Sequence, residues 1–141
     1  MRKLTGLVVT ALAATAGLAA ATPSAHAEPA SLYAPSALVL TIASGEGPNA
    51  VIQRAATLSC APRPTGTHPS PASACAELRQ TAGDFHTLLS SEDNRICPMI
   101  YAPVTVSIDG VWQGQRISWQ QTFTNGCKMD AATDTSTVWA F

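Results

Sequence analysis

The sequence is poor in charge, and its charges are not arranged to bind a polyanion. Charged side chains make up 12% of the 141 residues, and eight basic residues stand against nine acidic ones. No stretch gathers lysine and arginine into the basic stripe of a nucleic-acid-binding protein, and no basic amphipathic helix suits a membrane surface. We therefore expect neither nucleic acid nor a membrane as a partner.

Long hydrophobic runs are also missing, with one exception at the very start. Two basic residues precede an apolar stretch from Leu4 to Ala21, and the small-x-small motif Ala25-His26-Ala27 follows it. This order is typical of a secretory signal peptide, and the Ala-rich stretch falls short of the roughly 20 strongly apolar residues of a membrane span. The sequence predicts a signal peptide over residues 1–27 and one secreted, extracellular domain over residues 28–141.

The sequence has no Cys-x-x-Cys pair, and the spacing of its cysteines fits no zinc module. We therefore expect no metal and no cofactor. In an oxidising compartment the cysteines would form disulfides, and four of them allow three pairings. The sequential pairing would close loops of about 15 and 30 residues, each stabilising the fold by roughly 3 to 4 kcal/mol. The four cysteines are Cys60, Cys75, Cys97 and Cys127.

Alternating apolar residues predict two neighbouring strands, Ser36–Ala43 and Ile52–Cys60, with a turn over residues 45–49 between them. The first strand has apolar side chains on both faces, with Val39 on the second face, which predicts that the core covers one face and a partner subunit the other. Residues 61–72 contain four prolines and predict an irregular loop.

Val104–Asp109 alternates apolar and polar residues as a half-buried strand does. Asp109-Gly110 predicts a hairpin turn, followed by a return strand over Val111–Thr124 with a bulge at Gly114. Helical segments are predicted at Ser73–Ala82, Asp84–Leu89 and Lys128–Thr133, and a terminal strand at Ser136–Phe141. Together these elements predict an α+β domain built on an antiparallel sheet.

The segment from Ile96 to Pro103 combines a cysteine, two prolines and a central unbranched apolar residue, Met99. Each proline fixes its own φ and holds the preceding residue in the extended region. A serine protease binds such an extended segment as an added strand, and a segment that is already ordered loses little entropy on binding. On the local sequence alone, however, a disulfide-anchored turn with Met99 in the core is the favoured interpretation.

Other functions have weaker support in the sequence. Asp84, His86 and Ser90 could form a hydrolase triad, but no nucleophile elbow or oxyanion loop accompanies them. The three tryptophans could stack sugar rings, although their spacing fits sheet packing equally well. The main alternative to a protease inhibitor with a substrate-like loop is a secreted binding protein without inhibitory activity, or a substrate of a co-secreted processing or cross-linking enzyme. The glutamines that could serve such an enzyme are Gln113, Gln115, Gln120 and Gln121.

A series of motifs runs along the whole of residues 28–141 in a fixed order. They are Ser31-Leu32-Tyr33-Ala34-Pro35-Ser36-Ala37-Leu38-Val39-Leu40-Thr41, Thr57-Leu58-Ser59-Cys60-Ala61-Pro62, Gly66-Thr67-His68-Pro69, Cys97-Pro98-Met99-Ile100-Tyr101, Val106-Ser107-Ile108-Asp109-Gly110-Val111-Trp112-Gln113-Gly114, Phe123-Thr124-Asn125-Gly126-Cys127 and Val138-Trp139-Ala140-Phe141. This series and its cysteine spacing strongly resemble the Streptomyces subtilisin inhibitor family.

The resemblance implies a fold, an activity and an assembly. The fold would be a five-stranded antiparallel sheet with two helices and sequential disulfides, and a homodimer would form through sheet faces that include Val39. The protein would be an inhibitor of subtilisin-like serine proteases and not an enzyme. Met99–Ile100 would be its reactive bond, with Met99 as P1, and Asn125 would support the loop from behind. The other residues that would contact the protease are Ile96, Cys97, Pro98 and Tyr101.

Overall fold

The computed structural model describes residues 35–91 and 95–141, so the predicted signal peptide lies outside the described residues. Five strands form one antiparallel sheet in the order β3-β2-β1-β4-β5. The strands and helices are β1 (Ser36–Ser44), β2 (Val51–Ala61), β3 (Thr65–Gly66), α1 (Pro71–Gln80), β4 (Val104–Trp112), β5 (Gln115–Phe123) and α2 (Gly126–Thr133). Short 3-10 turns occur at Gly47–Asn49, Phe85–Leu88 and Thr137–Trp139. The predicted α+β fold is confirmed.

The core lies between one face of the sheet and the helices. β1 is the central strand, where Leu40 pairs with Ala56 of β2 and with Ile108 of β4. Leu40 and Ile108 are fully buried, as is Leu78 of α1. Burial of each such side chain stabilises the fold by about 1.5–3 kcal/mol. None of the helices in the described residues is long and apolar enough to cross a membrane.

The opposite face of the sheet carries small and polar side chains. The hydroxyls of Thr41 and Ser107 are hydrogen-bonded there at 2.8 Å, and the Asp109 carboxylate accepts hydrogen bonds from Ser107 and Ser118. Val39 is 42% exposed in the middle of this face. Within the described chain, the core covers one face of β1, and the predicted cover of the other face by a partner subunit stays a prediction.

The hairpin turn predicted at Asp109-Gly110 is wrong, because both residues lie inside β4. The chain turns instead at Gln113 and Gly114, which have φ values of 50° and 83° and connect the paired residues Trp112 and Gln115. Positive φ at both central residues is the signature of a two-residue hairpin turn. Gly114 therefore belongs to this turn and not to a bulge.

Three further element predictions need correction. Residues 65 and 66, in the predicted irregular loop, form β3 against β2. Helix α1 begins at Pro71 and not at Ser73, since proline is well suited to the first helical position. The predicted terminal strand is a 3-10 turn, Thr137–Trp139, because the Glu77 carboxylate of α1 accepts hydrogen bonds from the amides of Thr137 and Val138.

Candidate binding loop

The segment between residue 95 and the start of β4 is a loop without helix or strand at one end of the sheet. Its central side chains point away from the protein. Ile96 and Met99 have exposures of 100% and 101%, and Ile100 and Tyr101 are exposed as well. Met99 is therefore not a core residue, and the interpretation of the loop as a buried disulfide turn is excluded.

Both disulfides follow the sequential pairing. Cys60–Cys75 joins the end of β2 to α1, and Cys97–Cys127 joins the loop to the first turn of α2. The second bridge closes a ring of sequence separation 30 that contains the Met99–Ile100 bond. A cut at that bond therefore leaves the two parts of the chain covalently joined.

Asn125 lies directly behind the loop and is only 3% exposed. It is the N-cap residue of α2, where its Oδ1 accepts a hydrogen bond from the Lys128 amide at 3.1 Å. Its Nδ2 donates to the carbonyls of Pro98 and Ile100, both at 3.0 Å. Since the helix fixes the side-chain amide, that amide in turn holds the backbone on both sides of Met99.

The far end of the loop is held by a second set of contacts that sequence analysis missed. The Ala102 amide donates to the Thr124 carbonyl at 2.9 Å, and the Gly45 amide donates to the Pro103 carbonyl at 2.7 Å. The Thr105 hydroxyl donates to the Gly45 carbonyl at 2.9 Å. These contacts join segments that are distant in sequence, and they form because β4 lies between β1 and β5 in the sheet.

Two polar contacts flank the loop. Before it, the Arg95 guanidinium lies 3.1 Å from the Asp134 carboxylate at the end of α2, an exposed ion pair that contributes at most about 1 kcal/mol. On the other side of Met99, the pKa of the Tyr101 phenol is raised, first by hydrogen bonding with the Glu46 carboxylate, then by desolvation and by the negative charge of Glu46.

The other candidate sites are not assembled. The Asp84 carboxylate caps the His86 amide, the His86 ring packs against Trp119 with 5.4 Å between centroids, and the Ser90 hydroxyl bonds to that of Thr135. The three residues of the imagined triad thus have separate partners. Trp112 and Trp139 are buried, so they offer no platform for sugars. In the described ranges, no group of three or more His, Cys, Asp or Glu side chains could hold a metal ion.

Comparisons with known proteins agree with this architecture. The profile of the subtilisin inhibitor-like family matches residues 34–125. The chain is 49% identical over 134 residues to a subtilisin inhibitor of Streptomyces violaceus, with 92% of each chain covered. It is 58% identical over 104 residues to subtilisin inhibitor-like protein 2 of Streptomyces rochei, covering 73% of this chain and 91% of the relative. It is 45% identical over 141 residues to kexstatin-1 of Streptomyces platensis, covering 96% and 97%.

A solved structure has the same fold. In the crystal structure of Streptomyces caespitosus sermetstatin in complex with Bacillus licheniformis subtilisin, the matching chain has a TM-score of 0.72 and 45% sequence identity. The match covers 76% of the present chain and 99% of that chain. The chain therefore belongs to the subtilisin inhibitor-like family.

Proposed function

We propose that this protein is a secreted inhibitor of subtilisin-like serine proteases and that Met99–Ile100 is its reactive bond. The observation that carries the proposal is the fully exposed Met99 at the centre of a loop held by the Cys97–Cys127 disulfide and by Asn125. Family membership and the complex of a related inhibitor with subtilisin support it.

Binding would use the loop as a substrate-like strand. An extended segment pairs with the edge of the protease cleft through its backbone, and its P1 side chain enters a pocket. Met99 is long, flexible and apolar, so it can fill a broad hydrophobic pocket, and its burial is worth about 1.5–3 kcal/mol. The loop is already fixed at both ends, which lowers the entropy lost on association.

Inhibition would follow because the protease can cut the Met99–Ile100 bond but the bond then re-forms. The protease serine attacks the Met99 carbonyl carbon, the Met99–Ile100 bond breaks, and the serine holds Met99 as an acyl ester. The new amine of Ile100 stays in place, because Asn125 holds the Ile100 carbonyl and Thr124 holds Ala102. The amine can attack the ester and re-form the peptide bond, and its enforced proximity favours this reversal over hydrolysis.

Titration of subtilisin with the purified protein tests the proposal. We expect activity to fall linearly to zero at one inhibitor chain per protease molecule. Brief exposure to protease at mildly acidic pH should produce a single cut, at Met99–Ile100. Subtilisin that keeps full activity in excess protein would overturn the assignment, and a dominant cut elsewhere in the loop would overturn the reactive bond.

We also propose export and self-association. Export rests on the signal-peptide pattern of residues 1–27, and N-terminal sequencing of the extracellular protein should begin near Glu28. Self-association rests on the uncovered face of the sheet, where Val39 is 42% exposed in the middle of small and polar side chains. A second copy packed on this face would bury Val39 and form a homodimer.

A further inference from the structure

The exit of the loop is bound to the residue that directly follows β1. The Gly45 amide donates to the Pro103 carbonyl at 2.7 Å. This bond continues the antiparallel ladder in which Ser44 of β1 pairs with Val104 of β4. The position of Pro103, on the leaving side of the reactive bond, therefore depends on the position of Gly45.

Gly45 is in turn held by the side chain of Thr105. The Thr105 hydroxyl donates to the Gly45 carbonyl at 2.9 Å and lies 2.8 Å from the Thr122 hydroxyl of β5. A threonine hydroxyl has a single hydrogen to donate, so Thr122 is the donor in its bond to Thr105. The hydrogen bonds thus run in one direction, from Thr122 through Thr105 and Gly45 to the Pro103 carbonyl.

This chain of hydrogen bonds crosses three neighbouring strands of the sheet. Thr105 is buried in β4, between β1 and β5. Hydrogen bonds in series polarise and strengthen one another, and a buried group that loses its partner is costly. The Thr105 hydroxyl is therefore well placed to fix the turn after β1 against the loop exit.

We propose that Thr105 is a positioning residue for the re-formation of the reactive bond. By fixing Gly45 it fixes the Pro103 carbonyl, and with it the chain that carries the new amine of Ile100. The inference rests on the proposed function and deepens it, since Asn125 holds the backbone next to the cut whereas Thr105 holds the chain beyond it. Religation depends on how closely the amine is kept to the ester, so loss of the hydroxyl should favour the cut form.

Two substitutions of Thr105 test the proposal. Thr105→Val removes the hydroxyl and keeps the branched shape, whereas Thr105→Ser keeps the hydroxyl. Each protein is incubated with a catalytic amount of subtilisin until the ratio of cut to intact Met99–Ile100 bond is constant. We expect Thr105→Val to raise this ratio about three- to tenfold, the range of a single hydrogen bond. Its inhibition constant should rise by a similar factor through the dissociation rate, and Thr105→Ser should stay within about twofold of wild type.

Thr41→Val is the matched control. Thr41 lies on the same face of the sheet, and its hydroxyl is bonded to that of Ser107 and not to the loop exit. A general loss of stability would affect both valine variants, whereas the cut ratio should change in Thr105→Val alone. A cut ratio and inhibition constant equal to wild type in Thr105→Val, or an equal change in Thr41→Val, would overturn the inference.

Hydrogen exchange of the free protein separates this inference from the proposed function. The Gly45 amide should exchange at least about threefold faster in Thr105→Val than in wild type or Thr105→Ser, because its bond to Pro103 would open more often. Unchanged exchange would overturn the chain of hydrogen bonds whether or not the protein inhibits subtilisin. If exchange responds but wild type leaves subtilisin active, the proposed function fails and the role of Thr105 in religation fails with it.

Discussion

At the scale of single residues, the loop exposes side chains of types that are usually buried. Ile96, Met99, Ile100 and Tyr101 are apolar or aromatic, and all four are exposed. Neighbouring exposed apolar side chains on a soluble protein mark a surface for a partner. Asn125 and the Cys97–Cys127 disulfide hold the loop backbone, which leaves these side chains available for contact.

The side chain of Met99 should determine both the strength and the preference of inhibition. Met99→Asp should weaken subtilisin inhibition by at least roughly 2 kcal/mol, the loss expected of a binding hot spot, with the thermal midpoint unchanged because the side chain touches no core. Met99→Lys should shift preference towards trypsin, since its lysine would meet an acidic pocket. Inhibition constants for both proteases check this, and unchanged subtilisin inhibition by Met99→Asp would contradict it.

Substitutions of Asn125 can separate its contacts with the loop from its capping of α2. Asn125→Asp keeps the oxygen that caps α2 but places a carboxylate oxygen against the Pro98 and Ile100 carbonyls. We expect it to lose at least about tenfold in inhibition, from two hydrogen bonds of about 0.5–1.5 kcal/mol each, and to be cleaved faster by subtilisin.

Asn125→Ala is the companion variant, because it loses the cap as well. It should show the same loss of inhibition and a further loss of about 1 kcal/mol in the free energy of unfolding. Urea denaturation and inhibition assays measure the two effects. If Asn125→Asp inhibits like wild type, the side-chain amide does not support the loop.

At the scale of elements, β4 shows how a strong local signal can be overridden. Asp-Gly favours a hairpin turn, yet here the Asp109 carboxylate is satisfied by the Ser107 and Ser118 hydroxyls of the sheet. Gly110 lies where a Cβ would come within 2.3 Å of the Ala37 carbonyl oxygen. Gly110 is therefore needed because β1 approaches β4 closely at this position. This contact between distant parts of the sequence, and not the local Asp-Gly pair, determines where the hairpin turns.

Gly110→Ala should consequently destabilise the sheet. The added Cβ would meet backbone atoms that cannot move aside, and φ is 141° at this position, so we expect a loss of at least about 2 kcal/mol in the free energy of unfolding. Gly126→Ala is the matched control, since its Cβ would meet nothing within 4 Å. Urea denaturation compares the variants, and equal stability of the two would contradict the packing role of Gly110.

Local sequence patterns predicted much of the fold but less of the loop. The strand periodicities predicted β1 and β2 within one residue of their ends, because β1 and the second half of β2 bury alternate side chains. The supports of the loop exit, Gly45 and Thr105, could not be predicted, since their contacts depend on the order of strands in the sheet. The roles proposed for Met99 and Asn125 came from the family resemblance and not from local sequence.

At the scale of the whole molecule, the two faces of the sheet differ. The helices cover one face, while the other carries Val39 together with small and polar side chains. The loop lies next to the start of β4, whereas Val39 pairs with Asp109 further along that strand. A partner on the open face would therefore leave the loop accessible, so a dimer could bind a protease through each of its chains.

Val39→Asp should separate association from inhibition. A charge in the middle of the proposed interface should raise the dimer dissociation constant at least about 100-fold, while each chain should still titrate one protease. Ala76→Asp, on the exposed side of α1, is the control and should leave the dimer intact. Sedimentation equilibrium measures the masses. A Val39→Asp protein that remains dimeric would contradict this interface.

The complete exposure of Met99 has a chemical consequence. A thioether in open solvent is the first target of peroxide, whereas Met129, the other methionine among the described residues, is buried. Oxidation to the sulfoxide would turn an apolar side chain polar at the centre of the binding surface. Mild oxidants should thus abolish inhibition while the fold stays intact, and methionine sulfoxide reductases should restore it. The exposure that offers Met99 to a protease therefore also makes the inhibitor sensitive to the redox state of its surroundings.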